Sequence, residues 1–297
     1  MLELDQVRIN FDSTGIWVLN LSLAVVMFGV ALGITINDFK QLLKSPKLLL
    51  VGLLSQFFLL PLITFLLVLC IKPEPSIALG MFMVAACPGG NISNFMTHLA
   101  QGNTALSVSL TALATFLAVF MTPLNFQLYG SFYQPTAQLL KTIEIDFFEL
   151  FKLVVLILGV PLLLGMVFRY RNESIALGLS KLLKPFSIIV FGIIVVLAFT
   201  KNITVFNAYI HRVFTLTVCH NMVALLLGFS VAHLFKLSFK NRKTITIETG
   251  IQNSGLGLLL IFTFFDGLGG MAILAAFWGI WHIISGLILA SYWAKKS

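Results

Sequence analysis

Nine times between residues 16 and 294 the chain runs apolar for about the length needed to cross a bilayer, and that recurrence rules out most soluble folds. The runs are 16–36, 48–70, 74–100, 104–129, 149–169, 185–200, 211–235, 244–265 and 270–294. A hydrocarbon core about 30 Å thick offers no water to backbone N–H and C=O groups, so each run must satisfy them internally as a helix. Only 10% of the chain is charged and its mean hydropathy is +1.00, which leaves too little polar material for a solvated surface. The expected fold class is therefore an all-α polytopic membrane protein of about nine transmembrane helices. It forms one transmembrane unit over 16–297 behind a polar extracellular or periplasmic segment, 1–15. The first run has no basic region before it and no small-residue cleavage site after it, so it reads as a retained span.

The net charge of +8 sorts by side of the membrane. With the N-terminus outside and the C-terminus cytoplasmic, thirteen of the nineteen basic residues fall inside. They are Lys40, Lys44 and Lys47, Arg169 and Arg171, Lys181 and Lys184, Lys236, Lys240, Arg242 and Lys243, and Lys295 and Lys296. Eight of the eleven acidic residues fall outside, and a tenth span would scramble this alternation. No basic stretch is interleaved with aromatics on a polar face, so nucleic acid is not an expected partner; the bilayer is. The expected location is the inner (plasma) membrane, multi-pass. Cys70, Cys87 and Cys219 lie in or at the ends of apolar runs without metal-ligand spacing, so neither a disulfide framework nor a zinc site follows.

Two of the runs are broken. Span 74–100 is interrupted by Cys87-Pro88-Gly89-Gly90-Asn91-Ile92-Ser93-Asn94, and span 244–265 by Glu248-Thr249-Gly250-Ile251-Gln252-Asn253-Ser254-Gly255. Pro88 removes a donor and the glycines permit non-helical backbone, so freed polar groups inside the bilayer must be buried in protein or bind something. From Ser76 to Ala86 and from Gly255 to Phe265 are equal stretches of about 17 Å at helical rise, which puts both breaks near the midplane. The two spans also run in opposite directions, as inverted repeats over about 16–129 and 149–294 require, and paired broken helices point to a transporter's binding site. The first repeat is one span shorter, and segment 1–15 is too polar to replace it.

Glu248 is the acidic residue that falls within a span at depth, where a carboxylate must meet a cation or take up a proton. Sodium, like other hard cations, wants several oxygen ligands. Thr249 and Ile251 offer carbonyls, Gln252 an amide, and Ser93 and Asn94 side-chain oxygens from the opposite break. Ser107 and Thr111 share a face of the next span, although Ser and Thr also commonly bond back to their own helix. Gln56 stands alone on an apolar span, as a ligand or as interhelical glue. His98, His211, His220 and His233 read as structural, whereas His282, after Trp281 and near Ser285 and Gly286, could face a cavity.

These motifs resemble the bile acid:sodium symporters. The resemblance is carried by the two breaks, by Gly102-Asn103 with Ala105-Leu106-Ser107-Val108-Ser109-Leu110-Thr111, and by Trp281-His282-Ile283-Ile284-Ser285-Gly286, and it extends from the first span to the last. It implies a panel of helices 16–36, 149–169 and 185–200 beside a core of 48–129 and 211–294. It also implies two sodium ions behind the crossing of the broken helices. One would take Ser93, Asn94, Ser107, Thr111 and Glu248, the other Gln56, Glu248, Thr249, Ile251 and Gln252. Asn91, Asn253 and His282 match positions near the crevice where an organic anion would sit, while Ile283 replaces an asparagine found beside the histidine in similar bacterial sequences. The implied activity is sodium-coupled symport of an organic anion, a bile acid, another steroid conjugate or a small carboxylate, by alternating access.

A sodium/proton antiporter using Glu248 is the alternative, but such a protein generally needs a carboxylate pair. No Ser/His/Asp constellation, zinc motif or aspartate pair stands at one depth, so an enzyme is not expected.

Overall fold

The computed structural model describes residues 3–9, 13–35, 45–143 and 147–296. Lys40, Lys44, Asp12, Asp38, Glu144 and Asp146 of the charge count, and the last residue of span 16–36, lie outside the described residues. Apart from a short turn of 3-10 helix at Glu3–Asp5 and π turns at Leu54–Leu59 and Val155–Gly159, the regular elements are α-helical. They are α1 (Ser13–Ala31), α2 (Pro46–Ile71), α3 (Pro75–Ala86), α4 (Ile92–Leu99), α5 (Thr104–Phe132), α6 (Gln134–Thr142), α7 (Phe147–Val154 continuing through Val160–Arg171), α8 (Glu173–Lys201), α9 (Ile203–Leu234), α10 (Phe239–Gly250), α11 (Ser254–Phe264) and α12 (Gly269–Lys296). Among the described residues no strand forms, only isolated bridges between Arg8 and Leu268 and between Gly89 and Gln252. By length and composition α2, α5, α9 and α12 can each cross a membrane, while α3 and α11 are apolar but short.

Span 74–100 is thus divided into α3 and α4, and span 244–265 into α10 and α11. The two apolar halves lie deepest: α3 is buried from Ser76 to Ala86 and α11 from Leu256 to Phe262. A helix apolar on every side must be wrapped on every side, and α3 is packed by α2, α5 and α12. The polar half α10 is buried from Lys243 to Gly250 against α9, α5 and α4, so its hydroxyls and carboxylate must find partners inside the protein. Around these, α1 packs on α7 and α8. The approach is close because Gly165 lies where a Cβ would come 2.8 Å from the Phe28 carbonyl.

Proline shapes α2. Pro61 has no N–H to return to Phe57, four residues earlier, and the helix widens to a π turn over Leu54–Leu59. Asn125 of α5 donates its Nδ2 to the freed Phe57 carbonyl at 2.8 Å. That widened turn carries Ser55 and Gln56, both buried.

The start of the chain is not a loose polar tail. Residues 3–9 lie across the ends of α3 and α12, with Ile9 N donating to Gly267 O at 2.8 Å and Gly269 N donating to Val7 O at 2.9 Å. The buried Asp5 accepts from Ser76 N at 2.9 Å, satisfying an orphan N–H in the first turn of α3 with a negative charge at the positive end of that helix. Asp5→Ala should therefore lower the stability of the purified protein by about 1–2 kcal/mol, while Gln6→Ala, on an exposed neighbour, should leave it unchanged. Thermal melts of the two variants beside the wild type check this, and equal melts for all three would contradict it.

Candidate functional site

The two breaks meet. Gly90 N donates to Ile251 O at 2.8 Å and Asn253 N donates to Pro88 O at 2.8 Å, so backbone freed by each break is taken up by the other. Four helix ends converge at this crossing. The C-terminal, partially negative ends of α3 and α10 favour a cation, and the N-terminal, partially positive ends of α4 and α11 favour an anion. Thr122 of α5 donates to Ala86 O, the last carbonyl of α3, at 2.8 Å.

The register that sets the polar side chains against one another is fixed at one end. Asn103, which caps α5 by accepting from Leu106 N, also donates its backbone N–H to Thr244 Oγ1 at 2.8 Å and its Nδ2 to Asn241 Oδ1 at 3.0 Å. Lys243 Nζ donates to Ala100 O at 2.8 Å. One helical turn onward from Asn103 and Thr244 stand Ser107 and Glu248, and one turn beyond Ser107 stands Thr111.

All five residues of the first expected sodium set fall into one network. Glu248 Oε1 accepts from Ser93 Oγ at 2.5 Å and from Ser107 Oγ, and Thr111 Oγ1 donates to Glu248 Oε2 at 3.0 Å. Asn94 Oδ1 lies 2.9 Å from Ser107 Oγ and 3.2 Å from Thr111 Oγ1. Each hydroxyl has a single proton, so these crowded oxygens hold more lone pairs than the three hydroxyls can serve. A hard cation is the species that draws such oxygens together. The hydrogen-bond partners of Glu248 are neutral hydroxyls, and the ion pairs Arg169–Glu173 and Arg212–Glu74 lie elsewhere. Among the described residues no group of three or more His, Cys, Asp or Glu could hold a metal ion, and one carboxylate among neutral oxygens suits a hard monovalent ion.

Part of the second expected set, Gln56 and Glu248, flanks Gly89, while the Ile251 carbonyl accepts from Gly90 N. A Cβ on Gly89 would lie 2.8 Å from Gln56 Nε2 and 3.0 Å from Glu248 Oε2, so those two side chains flank it. Gln252 donates its Nε2 to Thr249 O at 2.8 Å, which leaves its buried Oε1 without a hydrogen-bond partner, and the buried Gln56 Nε2 also has none. Half a turn of the Gln56 amide presents its oxygen at the same point. Thr249 is further held by Ser55, hydroxyl to hydroxyl at 2.8 Å.

The three expected substrate residues sit differently. Asn91, exposed, begins α4, and Asn253, half-buried, caps α11 by accepting from Leu256 N at 3.1 Å; both stand at positive helix ends. His282 is buried and donates its Nδ1 to Trp278 O at 2.6 Å, along its own helix. It shares a face of α12 with Gly279, which lies against Ser254, and Gly286, which lies against Met96 and Ile251.

Sequence reasoning missed Ser55, Thr97, Thr122 and Asn221. Thr97 Oγ1 lies 3.3 Å from Ser107 Oγ. Asn221 donates to Gly250 O at 2.8 Å. The available signal was each residue's polarity within a run that must lie in the bilayer, which marks a partner without naming it.

The profile of the sodium bile acid symporter family matches residues 20–208. The chain is 34% identical over 290 residues to the uncharacterized sodium-dependent transporter YocS of Bacillus subtilis (strain 168), covering 97% of this chain and 87% of that one. It is 31% identical over 279 residues to the sodium-dependent organic anion transporter of Mus musculus, covering 92% and 72%. It is also 29% identical over 276 residues to the probable sodium/metabolite cotransporter BASS1, chloroplastic, of Arabidopsis thaliana, covering 93% of this chain but 66% of that longer one.

Proposed function

Since the chain belongs to the sodium bile acid symporter family, a family of sodium-dependent multi-pass membrane transporters and not of enzymes, we propose that it imports an organic anion together with two sodium ions by alternating access. The observation that carries this reading is the Glu248 carboxylate at the crossing, met by hydroxyls from α4 and α5. One ion takes Ser93, Asn94, Ser107, Thr111 and Glu248. The other takes Gln56, Glu248, Gln252 and the carbonyls of Thr249 and Ile251.

The anion binds at the opposite polarity, between the N-terminal ends of α4 and α11, with Asn91, Asn253 and His282 as its contacts. Helices α2 to α5 and α9 to α12 form a core that rocks against a panel of α1, α7 and α8, as inverted repeats permit. The N-terminus faces outward and the C-terminus lies in the cytoplasm, across the inner (plasma) membrane. For a monovalent anion each cycle moves one net positive charge inward, worth about 2.3 kcal/mol per 100 mV.

Uptake of a labelled bile acid and of a small carboxylate into proteoliposomes, with sodium or choline outside, tests the reading. Uptake of at least one anion should require sodium and should rise when the interior is made negative with a potassium diffusion potential. Uptake unchanged in choline would overturn sodium coupling, and proton efflux on a sodium jump without any anion would replace symport by exchange. Among the described residues the hydrogen-bond partners of Glu248 are hydroxyls and not a second carboxylate, which supports symport over exchange.

A further inference from the structure

We propose that Asn221 is a positioning residue for sodium, a latch that holds the end of α10 in ligand geometry and ties it to the helix carrying His282. This rests on the sodium reading above and adds a residue to it. Asn221 lies in α9 and is buried, with 1% exposure, within the apolar run 211–235. Its Nδ2 donates to Gly250 O at 2.8 Å, and its Oδ1 accepts from Ser285 Oγ at 2.6 Å. Ser285 Oγ also lies 3.2 Å from His282 O, so one side chain bridges the sodium-facing break and the candidate substrate-facing turn of α12.

Gly250 is the last residue of α10, where helical backbone bonding stops and carbonyls lose their intrahelical donors. Its neighbours Thr249 and Ile251 are the residues whose carbonyls are assigned to sodium. In a bilayer no water replaces a lost donor, so the Gly250 carbonyl would turn to another one and rotate its neighbours with it. The amide is suited to this task because it is donor and acceptor at once: the donor holds the break and the acceptor holds α12. Close packing fixes the distance. Gly228 of α9 lies where a Cβ would come 2.9 Å from both Thr246 Cα and Thr249 Cβ, so α9 and α10 are in close backbone contact beside the latch.

The test is a sodium titration of thermal stability with purified protein, at constant ionic strength against potassium, for wild type, Asn221→Asp, Asn221→Ala, Ser285→Ala and Glu248→Gln. Asn221→Asp keeps the shape but sets an oxygen against the Gly250 carbonyl; its sodium midpoint should rise about tenfold, as for loss of an outer-shell partner. Asn221→Ala should do the same, and Ser285→Ala, which spares the Gly250 bond, should move the midpoint less than threefold. In uptake the sodium dependence of Asn221→Asp, which keeps an acceptor for Ser285, should shift while its anion KM at saturating sodium stays within about twofold, a split that general destabilisation does not produce.

Should the Asn221 variants fail to fold, Ser285→Ala carries the test through the anion dependence. The latch predicts that sodium raises anion affinity less in Ser285→Ala than in wild type, and equal sodium enhancement overturns it. Wild-type sodium midpoints in the Asn221 variants, with the response lost in Glu248→Gln, would overturn the latch and leave the sodium site standing. No sodium-specific shift in the wild type would overturn both.

Discussion

Glu248→Gln should abolish the sodium-specific thermal shift of the purified protein and reduce sodium-driven uptake by at least about a hundredfold, the upper range for losing even an outer-shell partner of a bound metal. The substitution keeps the volume and removes the charge. In the wild type the carboxylate gathers the hydroxyls of Ser93, Ser107 and Thr111, and it belongs to both proposed sodium sets. A ligand that binds only the native state at a hundred times its dissociation constant stabilises that state by about 2.7 kcal/mol, and that increment should disappear in the variant. In potassium alone the variant should be at least as stable as the wild type, because a buried charge without a cation costs stability. Melts in sodium and in potassium separate the two effects. A variant that still shows the full sodium shift would remove Glu248 from the site.

Gly89→Ala should be nearly as damaging, by a steric route. The new Cβ would stand 2.8 Å from Gln56 Nε2, 3.0 Å from Glu248 Oε2 and 3.2 Å from the Glu248 carbonyl. Gln56 can give way, but the Glu248 carbonyl belongs to α10, whose end is hydrogen-bonded to the opposite break through Gly90 and Ile251. Overpacking of this kind costs about 1–3 kcal/mol, and the displaced groups are those assigned to sodium. Lower thermal stability and uptake reduced at least tenfold at saturating sodium are expected. Gly178→Ala is the control: a Cβ there meets nothing within 4 Å, and a helical alanine should leave uptake unchanged and stability equal or higher by up to about 1 kcal/mol. Normal uptake by Gly89→Ala would show that the backbone around Gly89 yields to a Cβ and that tight packing of the breaks is not required for transport.

Much of the candidate site is legible in the sequence because its signals are local. A proline and glycines beside Asn and Ser inside an apolar run mark a broken helix wherever the run ends up, and the same pattern in a run of opposite direction points to a crossing. Spacing alone put Ser107 and Thr111 on one face, and the structure turns that face toward Glu248 instead of back onto its own helix. Hydropathy identified span 185–200, but the helix runs over Glu173–Lys201, because a helix continues past the apolar stretch wherever backbone bonding allows.

Other features carry no local mark. Segment 1–15 reads as polar and external, yet Leu4, Asp5 and Ile9 are buried, because a short segment can be covered by the turn at 267–269 and the neighbouring helix ends without any periodicity of its own. Asn221, Ser55 and Thr97 are polar residues on apolar runs whose partners Gly250, Thr249 and Ser107 stand 29, 194 and 10 positions away. The composition of the chain, with nine apolar runs of which two are interrupted by polar residues, pointed to a membrane helix bundle with paired breaks and a carboxylate inside one of them. Only the tertiary structure decided which oxygens meet that carboxylate, since that depends on the register between α5 and α10 set by Asn103 and Thr244, a contact between helices far apart in the chain.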